Sequence, residues 1–314
     1  MFAAVAAHAG GPSGGTSKEK PTLVLVHGAF ADASSWNPVT QRLQEKGYTV
    51  IAPANLLRGI PEDSTYLASL LRSIKGPIVL AGHSYGGEVI TEAAADNSNV
   101  KALVYINAIV PDVGESFSSL SAKFAAPPLT KALKQVPFTN ADGTTGTDVY
   151  VQPEKLRQVF AQDLPESQTS IMSATQRPIA LSAFADKVTK AAWRTTPVYA
   201  LIGKQDESIN PEMERFGAKR ANARKTVEIN SSHVSLISHP QKVESLIVDA
   251  AEDYMWKYPG RPLFGKRICA PVGEYAGLRR AGGASSHPAS PGRPPSATRA
   301  PSAAALWPHT AVRL

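Results

Sequence analysis

The sequence predicts an α/β domain in which a parallel sheet is covered by helices on both faces. Apolar, β-branched runs of five to seven residues recur through residues 21–256, separated by segments with helical spacing. Such continuous apolar runs are typical of parallel strands buried on both faces. Strands that alternate with helices imply a parallel sheet. The alternation stops at about 111–190, so we expect that segment to form a cap over one edge of the sheet.

The elements can be placed from the periodicity in chain order. The predicted strands lie at 22–26, 48–52, 77–81, 100–106, 197–202 and 225–229. The predicted helices lie at 35–46, 62–74, 85–95, 210–221 and 240–256. Leu67, Leu70 and Leu71 share one side of the second helix, and Gly47 ends the first. Short helices are expected near 153–162 and 178–190, which makes the predicted cap helical.

The two ends of the chain differ from this domain in composition. Residues 1–20 are rich in Gly, Ala and Ser, and residues 257–314 are rich in Pro, Arg and Ala without periodicity. Both segments are predicted to be disordered. Ala7-His8-Ala9 has the spacing of a signal-peptidase site, but no basic segment precedes it. The compartment is therefore left open between two expectations: cytoplasmic, or secreted or periplasmic if residues 1–9 are a truncated signal peptide.

The charge of the chain is concentrated in the tail. The net charge is +7, but nine Lys and Arg residues and only one acid lie in 257–314, leaving about −1 for 1–256. A near-neutral domain lacks the electrostatic footprint of a nucleic-acid-binding protein. No apolar run reaches the roughly 18 residues of a membrane span, so neither nucleic acid nor a membrane is an expected partner. Cys269 is alone, which excludes an intramolecular disulfide.

The strongest chemical signal is Gly82-His83-Ser84-Tyr85-Gly86. This G-x-S-x-G pattern follows the strand at 77–81 and opens the helix at 85–95. A serine in so tight a turn has a strained backbone and needs small neighbours, and its hydroxyl projects above the sheet. The helix N-terminus behind it favours developing negative charge. We therefore expect Ser84 to be a nucleophile.

A serine hydroxyl needs a base and a group that orients the base. His233 lies in the loop after the last strand, where the chain order Ser, then Asp or Glu, then His places the base. Asp206 follows the strand at 197–202 and is the first candidate for the orienting carboxylate. Neighbouring Glu207 and Asp112, which follows the strand at 100–106, are the alternatives.

The loop after the first strand completes the predicted site. In this arrangement the loop supplies one backbone N–H of an oxyanion hole, and the residue after the serine supplies the other. These donors are Ala29, which follows His27-Gly28, and Tyr85. The His27 imidazole is expected to order the loop. Phe30, Phe184 and Trp193 are pocket candidates for which core packing is the expected role.

Three segments carry a resemblance to a known group. They are Val26-His-Gly-Ala-Phe-Ala-Asp-Ala-Ser-Ser-Trp36, Gly82-His-Ser-Tyr-Gly-Gly87 and Val104-Tyr-Ile-Asn-Ala-Ile-Val-Pro-Asp112. They resemble the α/β-hydrolase superfamily, and within it small bacterial esterases related to plant methylesterases and hydroxynitrile lyases. The resemblance covers roughly 21–256. It implies the α/β-hydrolase fold with a helical cap, an apolar pocket, no metal and no organic cofactor.

The resemblance also implies roles for individual residues. Ser84, Asp206 and His233 would form the catalytic triad, and Ala29 and Tyr85 the oxyanion hole. Lyases of the group have a threonine and a lysine where this chain has Gly28 and Val234. Without that lysine an expelled cyanide ion has no stabilising charge, which favours a serine hydrolase acting on small-molecule carboxylic esters. A hydroxynitrile lyase, a perhydrolase or a ligand-binding receptor on the same fold are the alternatives. The oligomeric state stays open.

Overall fold

The computed structural model describes residues 19–257 of the chain. The predicted signal remnant, most of the predicted N-terminal arm, Cys269 and the tail from residue 258 lie outside the described residues. Among the helices that are described, none combines the length and apolar character needed to cross a bilayer.

Strands and helices alternate as the sequence predicts. The strands of the described region are β1 (Thr22–Val26), β2 (Val50–Ile51), β3 (Ile78–His83), β4 (Val100–Ile106), β5 (Leu133–Thr139), β6 (Thr145–Val151), β7 (Ile179–Ala180), β8 (Val198–Gly203) and β9 (Lys225–Ile229). The helices there are α1 (Asn37–Glu45), α2 (Ile60–Ser73), α3 (Gly86–Ala93), α4 (Phe117–Ser121), α5 (Pro153–Phe160), α6 (Glu166–Thr175), α7 (Pro211–Arg220), α8 (Ser235–Ser238) and α9 (Pro240–Lys257).

The main sheet has six parallel strands in the order β2-β1-β3-β4-β8-β9. All six strands predicted from the sequence are present in it. The chain moves from β1 outward to β2 and then crosses to β3 on the other side of β1. Loops that leave neighbouring strands in opposite directions open a crevice at the carboxyl edge of the sheet, where ligands of open α/β sheets bind. The loops that follow β1 and β3 flank this crevice.

Two pairs of helices cover this sheet. α1 packs on α9, which also lies against β3, β4 and β8, whereas α2 packs on α3, which lies against β1, β3 and β4. β3 and β8 are buried along their whole length. Strands buried on both faces need a helical layer on each side, so the prediction of a parallel sheet between two helical layers is confirmed.

The insertion between β4 and β8 differs from the predicted helical cap. It contains α4, α5 and α6, but also a second, antiparallel sheet in the order β5-β6-β7. The hairpin between β5 and β6 turns at Asn140–Thr144, where Gly143 has φ +84° and the Asn140 carbonyl accepts the Gly143 N–H. An Asp-Gly pair is a hairpin signal, and Asp142-Gly143 is a sequence feature from which this turn could have been predicted. β5 alternates between exposed and half-buried residues and has no buried one, so it lacks the apolar run of a core strand.

Inside the cap, one of the two expected helices forms. The helix predicted at 153–162 is α5. The prediction of a helix at 178–190 is wrong. The chain there forms β7 and then a single 3-10 turn at Leu181–Phe184. The Ala180 N–H donates to the Leu57 carbonyl, which ties β7 to the loop after β2. This pairing with a segment far away in sequence overrides the local helical pattern.

Candidate active site

Ser84 stands at a sharp turn between β3 and α3. Its φ is +55°, in the left-handed region that a side-chain-bearing residue adopts only at an energetic cost. A Cβ on Gly82 would lie 2.5 Å from the Gly86 carbonyl oxygen, and one on Gly86 would lie 2.6 Å from that of Val26. The turn therefore tolerates only glycine on both sides of the serine. Ser84 itself is 8% exposed.

His233 and Asp206 form a buried pair at the same edge of the sheet. His233 lies in the loop between β9 and α8, and Asp206 lies just after β8. His233 Nδ1 and Asp206 Oδ2 are 2.6 Å apart, and both side chains are shielded from solvent. A hydrogen bond at Nδ1 leaves Nε2 as the acceptor in the neutral imidazole. The pair has the geometry of a base held by its orienting carboxylate.

Asp206 is held in place from several directions. The Ser208 and Ile209 N–H groups both donate to Oδ1 at 2.8 Å, and Asn107 Nδ2 donates to Oδ2 at 3.3 Å. Burial by itself raises the pKa of this carboxyl, but the charge of His233, together with hydrogen bonds from His233, Glu214 and the Ile209 N–H, lowers the pKa below its ordinary value. Asp206 is consequently an ionised acceptor.

The two alternative carboxylates lie elsewhere. Asp112 forms an ion pair with Arg194, at 2.7 Å. Glu207 is half-buried, and its backbone carbonyl accepts the Leu129 N–H. The structure therefore brings Asp206, and neither rival, to His233.

A narrow cavity joins these groups. Ser84, His233, Ala29 and Tyr85 all line it. The cavity has a volume of about 30 Å³, which is room for about two waters. No hydrogen bond joins Ser84 to His233 among the contacts of the described residues; such bonds are often long in free enzymes and tighten with substrate.

The remaining wall of the cavity is apolar and comes largely from the cap. Its apolar residues are Phe30, Ile109, Phe117, Leu129, Phe160, Phe184 and Ile209. The Phe160 ring lies 5.0 Å from the His233 ring and 6.1 Å from the Phe30 ring, centroid to centroid. Phe30 and Phe184 thus line the cavity, contrary to the expectation of core packing alone. Trp193 does not; its Nε1 donates to the Pro111 carbonyl.

The two predicted oxyanion donors face this cavity with free N–H groups. Neither the Ala29 N–H nor the Tyr85 N–H has a hydrogen-bond partner within residues 19–257. The loop that carries Ala29 is held by His27, whose Nδ1 donates to the Gly28 carbonyl and whose Nε2 accepts the Asn55 N–H, both at 2.9 Å. This confirms that His27 orders the loop. Two unpaired amides beside a serine suit an oxygen that gains negative charge.

His83 supports the loop of the base. Its Nε2 donates to the His233 carbonyl at 2.9 Å, and the two rings are 4.7 Å apart. Complete burial, together with repulsion from His233, lowers the pKa of His83 to about 3. His83 therefore stays neutral through the physiological range.

Two buried glutamates at the site were not anticipated from the sequence. Glu88, on α3, lines the cavity and is fully buried. Glu214, on α7, faces Asp206, and burial, followed by the Asp206 charge, raises its pKa well above the ordinary value. A contact between two carboxyl groups is a hydrogen bond only if one is protonated, so Glu214 faces the ionised Asp206 as the neutral acid, with its proton as the donor. Glu88 had a signal, an acid in the first turn of the helix that follows the serine, but Glu214 had none.

The described residues contain no cluster of His, Cys, Asp and Glu side chains suited to a metal ion. No group of three such residues within 19–257 could hold one. The polar groups around the cavity are those of Ser84, His233, Glu88, Ser208 and Tyr85, together with backbone amides.

Comparison with known proteins agrees with this fold. Residues 23–246 match the sequence profile of the alpha/beta hydrolase family. A carbendazim-hydrolyzing esterase of Nocardioides sp. is 32% identical over 123 residues, 35% of this chain and 50% of that esterase. Methylesterase 3 of Arabidopsis thaliana is 23% identical over 260 residues, 76% of this chain and 98% of that protein.

Solved structures share the fold over the same region. Polyneuridine aldehyde esterase superposes with a TM-score of 0.65 at 22% identity, covering 74% of this chain and 99% of that one. A pyrethroid hydrolase from Sphingobium faniae superposes with a TM-score of 0.63 at 20% identity, covering 74% and 97%.

The neutral, buried His83 makes the folded protein sensitive to acid. Its folded pKa of about 3 lies below the value of 6.5 for an exposed histidine, so between these pH values the unfolded chain binds the proton more readily. Stability contributed by His83 is complete above about pH 6.5 and falls as the pH drops toward 3, by roughly 4 kcal/mol. Urea unfolding from pH 7 to pH 4 should show a shallower loss for His83→Gln than for the wild type. Parallel pH profiles for the two proteins would contradict this.

Proposed function

The chain belongs to the alpha/beta hydrolase family, and from that premise we propose that it is a serine esterase. It cleaves carboxylic esters of small, largely apolar substrates through an acyl-enzyme. The observation that carries the proposal is the 2.6 Å contact of His233 with Asp206 at the cavity that also contains the strained Ser84. The relatives named as esterases and hydrolases support ester cleavage in general.

In the first step Ser84 attacks the ester carbonyl. His233 Nε2 removes the hydroxyl proton as the oxygen bonds to carbon, so a neutral nucleophile gains the reactivity of an alkoxide without forming one in solution. The carbonyl oxygen becomes negative and accepts hydrogen bonds from the Ala29 and Tyr85 N–H groups. Each such donor contributes about 3–4 kcal/mol to the transition state.

Asp206 balances the charge that appears on His233. An imidazolium in a buried site would be destabilised by desolvation, and the carboxylate 2.6 Å away offsets this. His233 then gives its proton to the leaving alcohol, which departs from the acyl-enzyme. A water molecule repeats the sequence with His233 as base, releasing the carboxylic acid and restoring Ser84.

The size of the cavity indicates a short acyl or alcohol group. A space for about two waters matches an acetyl group more closely than a long chain, and its wall of aromatic and aliphatic side chains favours apolar groups. Val234, directly after the base, is buried and apolar. No cation at that position can stabilise an expelled cyanide ion, which favours ester hydrolysis over the lyase reaction.

The proposal is tested by hydrolysis of p-nitrophenyl acetate, butyrate and octanoate. The wild type should hydrolyse the acetate or butyrate at least tenfold more efficiently, in kcat/KM, than the octanoate, because the longer chain must displace cap side chains. Ser84→Ala should fold normally and lose turnover of all three. A folded wild type that hydrolyses none of them, or a Ser84→Ala variant as active as the wild type, would contradict the esterase proposal.

The role of Asp206 is tested by Asp206→Asn. We expect kcat to fall by about 10³ to 10⁴, because the neutral amide cannot stabilise the imidazolium and favours the wrong imidazole tautomer. Asp112→Asn, which removes only a surface ion pair with Arg194, is the matched control and should stay within about twofold of the wild type. Equal losses in the two variants would rule out the assigned role.

A further inference from the structure

Glu88 is a carboxyl group with no partner in a cavity that is otherwise mostly apolar. It lies four residues after Ser84, in the first turn of α3. Ser84 itself precedes the helix, in the left-handed turn. The side chains of Glu88 and Ser84 nevertheless line the same cavity.

The carboxyl oxygens of Glu88 have no hydrogen bond to any described residue. Both are buried, and although the Phe117 N–H faces them, the contact does not meet hydrogen-bond geometry. A glutamate at this helix position commonly reaches back to the N-cap N–H, which Glu88 does not do. Nearly all buried polar groups are paired, so an orphaned carboxyl at a ligand cavity points to a partner that arrives with the ligand.

The charge around Glu88 favours its neutral form. It forms no ion pair with another described residue, and the charge that acts on it is the carboxylate of Asp186. Burial, reinforced by Asp186, raises the pKa of Glu88 well above its ordinary value. The N-terminal dipole of α3 favours a negative charge by less than about 1 kcal/mol, which is small beside the several kcal/mol needed to bury an unpaired carboxylate.

We propose that Glu88 is a specificity-determining residue whose protonated carboxyl donates a hydrogen bond to an oxygen atom of the substrate. That atom is an ether, ketone or hydroxyl oxygen carried a few bonds from the scissile ester. The inference rests on the proposed esterase function and adds a polar requirement to it. A site with a buried polar group discriminates against a ligand that leaves the group unpaired.

The test compares esters that differ only by an ether oxygen in place of a methylene. Three acyl pairs are the p-nitrophenyl esters of methoxyacetate and butyrate, of 3-methoxypropionate and pentanoate, and of 4-methoxybutyrate and hexanoate. A fourth pair, 2-methoxyethyl butyrate and butyl butyrate, carries the oxygen in the alcohol. The quantity measured is kcat/KM for the ether-containing ester divided by kcat/KM for its methylene counterpart. Comparing this ratio between variants cancels the intrinsic reactivity of the esters.

Three variants separate the possible roles. Glu88→Gln keeps a donor of similar shape, Glu88→Met removes it, and Glu154→Met alters an exposed glutamate in the first turn of another eight-residue helix as a control. For at least one pair we expect the ratio to be about tenfold higher in the wild type, Glu88→Gln and Glu154→Met than in Glu88→Met. Glu88→Met should also be at least as stable as the wild type, because it removes an orphaned polar group.

Two results would overturn the inference. One is that Glu88→Met leaves the ratio unchanged for every pair. The other is an equal loss in Glu88→Gln and Glu88→Met, which would show that a negative charge and not a donor is needed. Binding of 1-methoxy-2-propanone against 2-pentanone, and of 4-methoxy-2-butanone against 2-hexanone, measured by NMR titration, needs no turnover. These ketones therefore test Glu88 even if the esterase proposal fails, and equal affinities within both pairs for the wild type would count against it.

Discussion

The close approach of α3 to the sheet at Ser84 governs the rest of the site. Because β1, β3 and α3 meet with no room for a side chain at Gly82 or Gly86, the chain turns sharply and places Ser84 in a left-handed conformation. The same turn leaves the Tyr85 N–H free and aims the first turn of α3, including Glu88, along the cavity. The energetic cost of this backbone strain is met by packing in the surrounding sheet.

Around that turn, the carboxyl edge of the sheet gathers groups that are distant in sequence. Asn107 follows β4, Asp206 follows β8 and His233 follows β9, and parallel strands bring these ends together. Each polar group is then fixed by a specific neighbour: Asp206 by two backbone N–H groups and Asn107, and His233 by Asp206 and, through its carbonyl, by His83. The unpaired Ala29 and Tyr85 N–H groups and the Glu88 carboxyl belong to residues that line the cavity.

The fold and the positions of the candidate triad could be predicted from the sequence because both depend on local patterns. Strands such as 22–26 and 100–106 are continuous apolar runs, and the G-x-S-x-G turn has its own backbone signature. The antiparallel sheet of the cap was missed because β5 has no buried residue and β7 depends on the distant Leu57 carbonyl. The burial of Glu214 could not be read from its helix, since the groups that enclose it belong to other elements. Asn107 is a polar residue directly after a buried strand, which is a sequence signal for a residue at the carboxyl edge of the sheet.

Covalent labelling tests most directly whether Ser84 is the activated nucleophile. The folded protein would be treated with a fluorophosphonate, which phosphonylates activated serine hydroxyls, and the modified peptide located by mass spectrometry. The account predicts a single adduct on Ser84, formed in the wild type and absent from Ser84→Ala. An adduct on another serine, or no adduct on the folded wild type, would contradict it.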